Sequence, residues 1–296
     1  MSEELLKSVS SIITFPLKSI INRSIISGIF PDRWKHSKVI PLYKKGDKSD
    51  VSNYRPVSIL PAASKVLESV VLKQLTKYFE ENKFLPNNQH GFRRGRSTTT
   101  AVASMVAEWA KNHDAGLITG ALLWDLSSAF DTINVELLCK KLVLYGTEQK
   151  AVNWFKSFLT DRRQQVKVGD ALSKPLPINV GCPQGSLLSP LLFLIYISDM
   201  GLWVKEVQIH GYADDTSTSV GAANEDELVT KLEADADRIL RFMASNELSV
   251  NGQKTGLLVI RKTRSPTTNV EIMVDGEKIT EEKSHRILGL TVDGSL

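Results

Sequence analysis

Two adjacent acids close the run Ile209-His210-Gly211-Tyr212-Ala213-Asp214-Asp215, and small polar residues, Thr216 to Ser219, follow them. An apolar and aromatic run that meets a polar turn predicts a β-hairpin with Asp214 and Asp215 at its tip. Neighbours on a regular strand point to opposite faces, but a turn relaxes that rule and lets both carboxylates approach one cation. Two such groups repel each other, and a hard divalent ion would neutralise them. Taken alone, an Asp-Asp pair is more simply a solvated turn, because Asp is a common turn former.

Two further stretches bear on the choice. Leu122-Leu123-Trp124-Asp125-Leu126-Ser127-Ser128-Ala129-Phe130-Asp131 begins as a buried strand and places Asp125 at its end, as either a helix cap or a ligand. Gly181-Cys182-Pro183-Gln184-Gly185-Ser186 is a tight loop, and the apolar segment from Leu187 to Ile197 predicts a helix behind it, with Pro190 tolerated in its first turn.

In this order the three stretches resemble motifs A, B and C of reverse transcriptases, those of non-LTR (LINE-type) retrotransposons most of all. A YADD sequence alone is weakly specific. Asp125-x4-Phe130-Asp131, then PQGS-x2-SP-x2-F, then YADD is highly specific in combination, and flanking matches run from about Ile20 to Asp293. Two positions depart from the family pattern: Ser189 stands where Gly is usual, and Trp124 where Leu is usual. Neither removes a reacting group.

The elements that must position these acids follow from pattern. The order is a strand ending at Asp125, a helix, a hairpin bearing Asp214 and Asp215, a helix, and a strand from Leu257 to Ile260. That is β-α-β-β-α-β, the split ferredoxin-like arrangement, in which the first strand and the hairpin lie side by side. Asp125 and Asp214, far apart in sequence, would then meet at one end of a sheet. Upstream, apolar residues at helical spacing from Glu4 to Ser27 predict two short helices broken at Pro16. Trp34 to Tyr43 and Asn53 to Ser58 predict a hairpin with a basic tip. Ala62 to Asn82 reads as an amphipathic helix with Val66, Val70 and Leu75 on one side. Thr99 to Lys111 and Lys150 to Leu159 are helical. Asn134 or Thr132 caps a helix through Tyr145, and Asn224 with Glu227 forms a capping box. Leu228, Leu232, Ile239 and Met243 stripe the helix that follows it.

Composition sets the outer bounds. The chain has 296 residues and a net charge of +4, ordinary for a globular protein and too small to diagnose a nucleic-acid binder. Distribution says more: basic residues gather between Arg33 and Arg55 and again at Arg93, Arg94 and Arg96, as a phosphate track or as a solvated face. Cys139 and Cys182 give no disulfide framework and suit a reducing compartment. The histidines show no zinc spacing, and the longest apolar helix is too short to span a bilayer, so no membrane is expected.

The resemblance implies an α+β fold, the right-hand fingers and palm of polymerases, with the palm of ferredoxin-like βαββαβ type. It divides the chain into an N-terminal helical extension at 1–30, fingers at 31–118 and a palm at 119–296 with a fingers insertion at about 147–185. It implies an RNA-directed DNA polymerase that extends a DNA primer on an RNA template with dNTPs, in a retrotransposon. Asp125, Asp214 and Asp215 would hold two Mg²⁺ ions, with Mn²⁺ as a substitute. Arg55 and Lys44 would meet the triphosphate. Phe130 would exclude a ribose 2′-hydroxyl, and Gln184 and Gly185 would lie near the sugar. Arg93, Arg94, Arg96 and Lys254 would contact nucleic acid. The chain stops soon after its last motif, so a thumb and an endonuclease region are expected to be absent from it. The alternatives are a silent nucleic-acid-binding remnant and an RNA-dependent RNA polymerase.

Overall fold

The structure is a computed structural model and describes residues 3–127, 130–261 and 269–294; Ser128 and Ala129, inside the first acidic motif, lie outside the described residues. The chain opens with helices α1 (Glu3–Ser8) and α2 (Ser10–Ser27), strands β1 (His36–Tyr43) and β2 (Tyr54–Ile59), and helices α3 (Ala62–Glu81) and α4 (Thr98–Asp114). Strands β3 (Ile118–Trp124) and β4 (Leu126–Ser127) come next, followed by helices α5 (Val135–Leu144) and α6 (Gln149–Leu159). Strands β5 (Arg162–Val168), β6 (Ala171–Leu172) and β7 (Leu176–Ile178) lead to helix α7 (Ser189–Ile197). The hairpin β8 (Gln208–Tyr212) and β9 (Asp215–Ala222) precedes helix α8 (Glu225–Ser245), then β10 (Ser249–Val250) and β11 (Gly256–Ile260). Two hairpins finish the fold, β12 (Glu271–Val274) with β13 (Glu277–Glu282), and β14 (Ser284–Ile287) with β15 (Leu290–Asp293).

These elements form two compact units: residues 1–84 with 130–196, and residues 85–129 with 197–296. In the first, β1 pairs antiparallel with β2 and parallel with β5. Its core is aromatic: Trp154 stacks on Phe158 with ring centroids 5.7 Å apart, and Phe30 meets both edge-on. In the second, a six-stranded sheet runs β12-β13-β11-β3-β9-β8. Four consecutive strands at one end of it, β11-β3-β9-β8, are the β-α-β-β-α-β set expected from element order, with the first strand flanked by the second hairpin strand and by the last strand. Met105 and Trp109 of α4 pack with Ala121, Leu123, Leu258 and Ile260 on one face. Leu228 and Leu232 of α8 meet β3 at Gly120, which points to the other face. The stripe expected on α8 is fully buried, Leu228, Leu232 and Ile239 at 0 % exposure.

Two local expectations change. The N-terminal break falls at Val9, and Pro16 lies inside α2; a proline removes one N–H donor, which an exposed helix can lose without ending. The buried face of α3 is Leu67, Leu75 and Phe79, with Ser64 and Glu68 among them, whereas Val66 and Val70 are half-buried. Apolar spacing could not show that a carboxylate belongs to the inner face.

The hairpin that carries the paired acids is anchored at its start by a buried acid on α8. Asp235, at 0 % exposure, accepts backbone N–H bonds from Lys205 at 3.0 Å, Glu206 at 2.6 Å and Val207 at 2.8 Å, and is paired with Arg238. Burial pushes its carboxyl up, but the donors from Val207, Arg238, Glu206 and Lys205 together outweigh it and hold the pKa below the ordinary value. A depressed carboxyl stabilises the fold above its unfolded pKa, about 3.9, and that contribution is lost as pH falls through the folded value. Asp235→Ala leaves three N–H groups without their acceptor, and urea denaturation at pH 7 should show a loss of about 3–5 kcal/mol, with a shallower acid limb than the parent.

Candidate active site

The second unit brings the three acids of the sequence motifs to one strand end. Seven register pairs tie β3 to β9, from Ile118↔Ala222 to Trp124↔Thr216. The next step along both strands sets Asp125 beside Asp215. Tyr212 and Asp215 close the hairpin, so Ala213 and Asp214 form a two-residue loop. At Asp125 the chain leaves the large sheet: Leu126 pairs with Val250 of β10, and the Asp125 carbonyl accepts the Asn251 N–H at 2.8 Å. That switch of partner frees the Asp125 side chain from the regular alternation. A cleft of about 230 Å³ opens here, lined by Asp125, Tyr212, Asp215, Lys254, His285 and Arg286 among others.

The charges interact. Burial, then Asp214, then Asp125 raise the Asp215 pKa above its ordinary value, although the side chain still reaches solvent. Lys254 Nζ lies 3.5 Å from Asp125 Oδ2 and supplies one counter-charge. Among the described residues, no three His, Cys, Asp or Glu side chains are converged on a metal position as they stand. The donor set nevertheless fits a hard dication: all-oxygen, anionic, solvent-reaching and under mutual repulsion that such an ion relieves.

The basic loop ahead of α4 is built differently from a free phosphate track. Arg93 Nη1 donates to the Pro86 carbonyl at 2.5 Å and the Gln89 carbonyl at 3.3 Å, and Arg96 Nη1 donates to the Asn87 carbonyl. These two guanidinium groups brace a turn; Arg94 is exposed. Ser97 caps α4 in a reciprocal box with Thr100, whose hydroxyl also meets His90 Nδ1 at 2.9 Å.

The first unit carries the other motif residues. Lys44 and Arg55 are exposed on the β1–β2 hairpin. Asp47 and Asp50 accept from the Ser49 and Ser52 N–H groups, and Arg55 makes no ion pair among the described residues. The PQG loop is tied to two neighbours. Ser58 of β2 donates its N–H to the Gln184 carbonyl at 2.7 Å, and a Cβ on Gly185 would lie 2.4 Å from the Ser58 carbonyl oxygen. With φ at +110° this position admits only glycine. Close approach to β2, and not to a ligand alone, therefore requires Gly185. Buried Glu68 accepts from Ser64 at 2.5 Å, Ser186 at 2.7 Å and the Leu187 N–H at 2.9 Å. Phe130 is half-buried and tilted against Phe193 at 4.9 Å.

Sequence reasoning gave no role to Glu68, Gln89 or Asp131. Asp131 accepts the Gln184 side-chain amide at 2.7 Å; burial raises its pKa and that hydrogen bond lowers it in part. The signal for Glu68 was a Ser-x3-Glu pair on an apolar helix face, since a polar pair there is buried only when satisfied.

Sheet order and acid placement define a class, the fingers-and-palm fold of right-hand polymerases. Solved structures agree: apo telomerase from Candida tropicalis, truncated from its C-terminal domain, aligns with TM-score 0.58 and 14% identity over 90% of this chain and 56% of that one. Residues 43–292 match the family described as reverse transcriptase (RNA-dependent DNA polymerase), and the chain belongs to that family. Similar proteins include the probable RNA-directed DNA polymerase from transposon BS and the RNA-directed DNA polymerase from mobile element jockey, both of Drosophila melanogaster. Each is 29% identical over 95% of this chain. The chain spans about a third of the length of these relatives, 32% and 31%.

Two outcomes follow from the charges. A raised carboxyl pKa destabilises the fold once pH exceeds the unfolded value, so Asp215→Asn should raise the thermal midpoint of the metal-free protein at pH 7 and not at pH 3.5. Burial pushes the Cys182 thiol up to about 12 and, with Glu136, the Cys139 thiol up to about 11. At pH 8 a thiol-disulfide reagent should leave both unlabelled in the native protein and label both in urea.

Proposed function

We propose that the chain is the catalytic reverse transcriptase domain of a non-LTR retrotransposon protein, extending a DNA primer on an RNA template with dNTPs. The observation that carries this is the register Trp124↔Thr216, which sets Asp125 beside the Asp214-Asp215 turn in a chain of this family. Asp125, Asp214 and Asp215 would hold two Mg²⁺ ions. Bound there, the ions would supply Lewis-acid chemistry and neutralise charge at the reacting phosphate. Lys254, 3.5 Å from Asp125, adds a positive charge beside them.

The remaining roles belong to the chain's own side chains. The Arg55 fork matches phosphate oxygens in two places, and Lys44 adds a point charge. Phe130 excludes a 2′-hydroxyl by bulk, so deoxynucleotides are favoured by exclusion. Gln184 is oriented by its bond to Asp131 and meets the sugar. Arg94 is exposed on the basic loop and would meet the nucleic-acid backbone, with Arg93 and Arg96 adding field from braced positions. By the same motif pattern, residues 31–118 are fingers and 119–296 palm with a fingers insertion at about 147–185, and residues 1–30 are an extension. No helix among the described residues is long and apolar enough to cross a membrane.

Primer extension on an RNA template with dNTPs and Mg²⁺ tests the reading. The parent should extend, and Asp214→Ala should lose at least about a hundredfold, the scale for one missing charge-stabilising group. Equal product from both defeats the assignment, and no product from a folded parent favours a silent nucleic-acid-binding remnant. Phe130→Val should narrow the preference for dNTPs over rNTPs by about 10–100-fold in kcat/KM, the scale on which a pocket rejects an added hydroxyl. An unchanged ratio removes the gate.

A further inference from the structure

The loop that presents Asp214 is held from outside its own hairpin. Ala213 has φ +60°, in the left-handed region, at the first of the two loop positions. Glycine is the usual residue there, and an alanine in that region is strained. The Gln89 side chain grips this residue on both sides: Oε1 accepts the Ala213 N–H at 3.0 Å, and Nε2 donates to the Ala213 carbonyl at 3.4 Å. The same Oε1 accepts the Gly91 N–H at 2.8 Å, and Gln89 is buried, at 7 % exposure.

The segment around Gln89 is itself fixed to the hairpin. Gln89 bridges Gly211 in parallel on the outer edge of β8, the His90 N–H donates to the Gly211 carbonyl at 2.7 Å, and the Gly211 N–H donates to the Asn88 carbonyl at 3.0 Å. Asn88 Nδ2 donates to the Ile209 carbonyl. A Cβ on Gly91 would lie 2.1 Å from the Ala213 nitrogen, so the two backbones touch with nothing between them. Arg93 and Arg96 brace the far side of the segment through the Pro86, Asn87 and Gln89 carbonyls.

We infer that Gln89 is a positioning residue for the acidic turn: its amide satisfies both backbone groups of Ala213, fixes the strained loop in one conformation, and thereby sets where Asp214 and Asp215 present their carboxylates. The effect on metal rests on the function proposed above; the effect on the loop does not. Gln89 touches no reacting group, so its influence passes wholly through the Ala213 backbone.

The test pairs Gln89→Leu, which keeps bulk and removes both bonds to Ala213 together with the one from the Gly91 N–H, with Gln89→Leu/Ala213→Gly, which relieves the left-handed strain. Hydrogen exchange of the peptide across Ile209–Thr216 reads the loop, and Mn²⁺ titration followed by electron paramagnetic resonance reads the acids. Gln89→Leu should speed exchange of that peptide about tenfold or more and weaken Mn²⁺ binding about tenfold, the scale of one lost buried hydrogen bond. The double variant should return Mn²⁺ binding to within about threefold of the parent, which a merely destabilising substitution would not allow. Should Gln89→Leu fail to fold, Gln89→Asn, too short to reach both groups, carries the same expectations. Unchanged exchange and unchanged Mn²⁺ binding overturn the inference, as does weakened binding that Ala213→Gly leaves unrepaired. A parent that binds Mn²⁺ no better than Asp215→Asn sinks the metal reading instead, and the exchange comparison then decides the role of Gln89 by itself.

Discussion

Carboxylates repel, and a fold that gathers three of them has to hold them by something stronger than their own side chains. Here the backbone does it. A ladder of seven register pairs fixes β3 against β9, and a one-residue slip would send Asp125 to the opposite face. The ladder is secured from both sides. On one face Trp109 and Met105 of α4 pack on Ala121 and Leu123; on the other α8 packs through Leu228 and Leu232. Asp235 then fixes the entry into β8, so the hairpin is pinned at its root as well as along its length.

The strand after the paired acids shows what this arrangement demands. Thr216 to Ser219 would suit a solvated edge, yet all four are buried. Burial is tolerable because polar groups find partners: Thr218 accepts the Trp124 indole N–H at 3.0 Å, Ser217 contacts Met105 sulfur at 3.4 Å, and Ser219 reaches Glu108 at 3.2 Å. His210 Nε2 joins the same group, 2.9 Å from Glu108. Small polar side chains let α4 approach the sheet closely beneath the acids, where larger apolar ones would push it away. Trp124, which departs from the family's usual leucine, uses its polar handle on Thr218, on the face opposite these serines.

Legibility in the sequence divides along a physical line. Elements declared by periodicity and punctuation were readable: the hairpin around Asp214, the strand ending at Asp125, the α8 stripe, the caps at Asn134 and Asn224. The sheet order followed from element order, because few connections are allowed. What periodicity cannot carry is a polar side chain whose partner is a backbone group far away in sequence. Gln89 bonds the Ala213 backbone, 124 residues on, and Glu68 accepts the Leu187 N–H, 119 residues on. Neither belongs to a repeating pattern, and each lies inside a stretch with a simpler reading, a basic loop or an amphipathic helix. Arg93 and Arg96 show the converse. Their charge suggests a phosphate track, but much of their hydrogen-bonding capacity goes to local carbonyls, a use that composition cannot distinguish from the first.

The acids, the glycines and the buried polar groups thus belong to one argument about conflict and compensation. Asp215 is held where burial and its neighbours oppose its charge. Ala213 is held where its side chain opposes its backbone. Each is an unfavourable local state, and such states persist only when the surroundings over-determine them. The surroundings here are identifiable: the β3–β9 ladder for Asp215, and the Gln89 amide with the Gly91 contact for Ala213. The strain is informative because it sits in the residue just before the acids, where a small change in one φ angle moves both carboxylates together. A divalent ion arriving at this point would meet repulsion already built in, and relieving that repulsion would add to its affinity without any new contact.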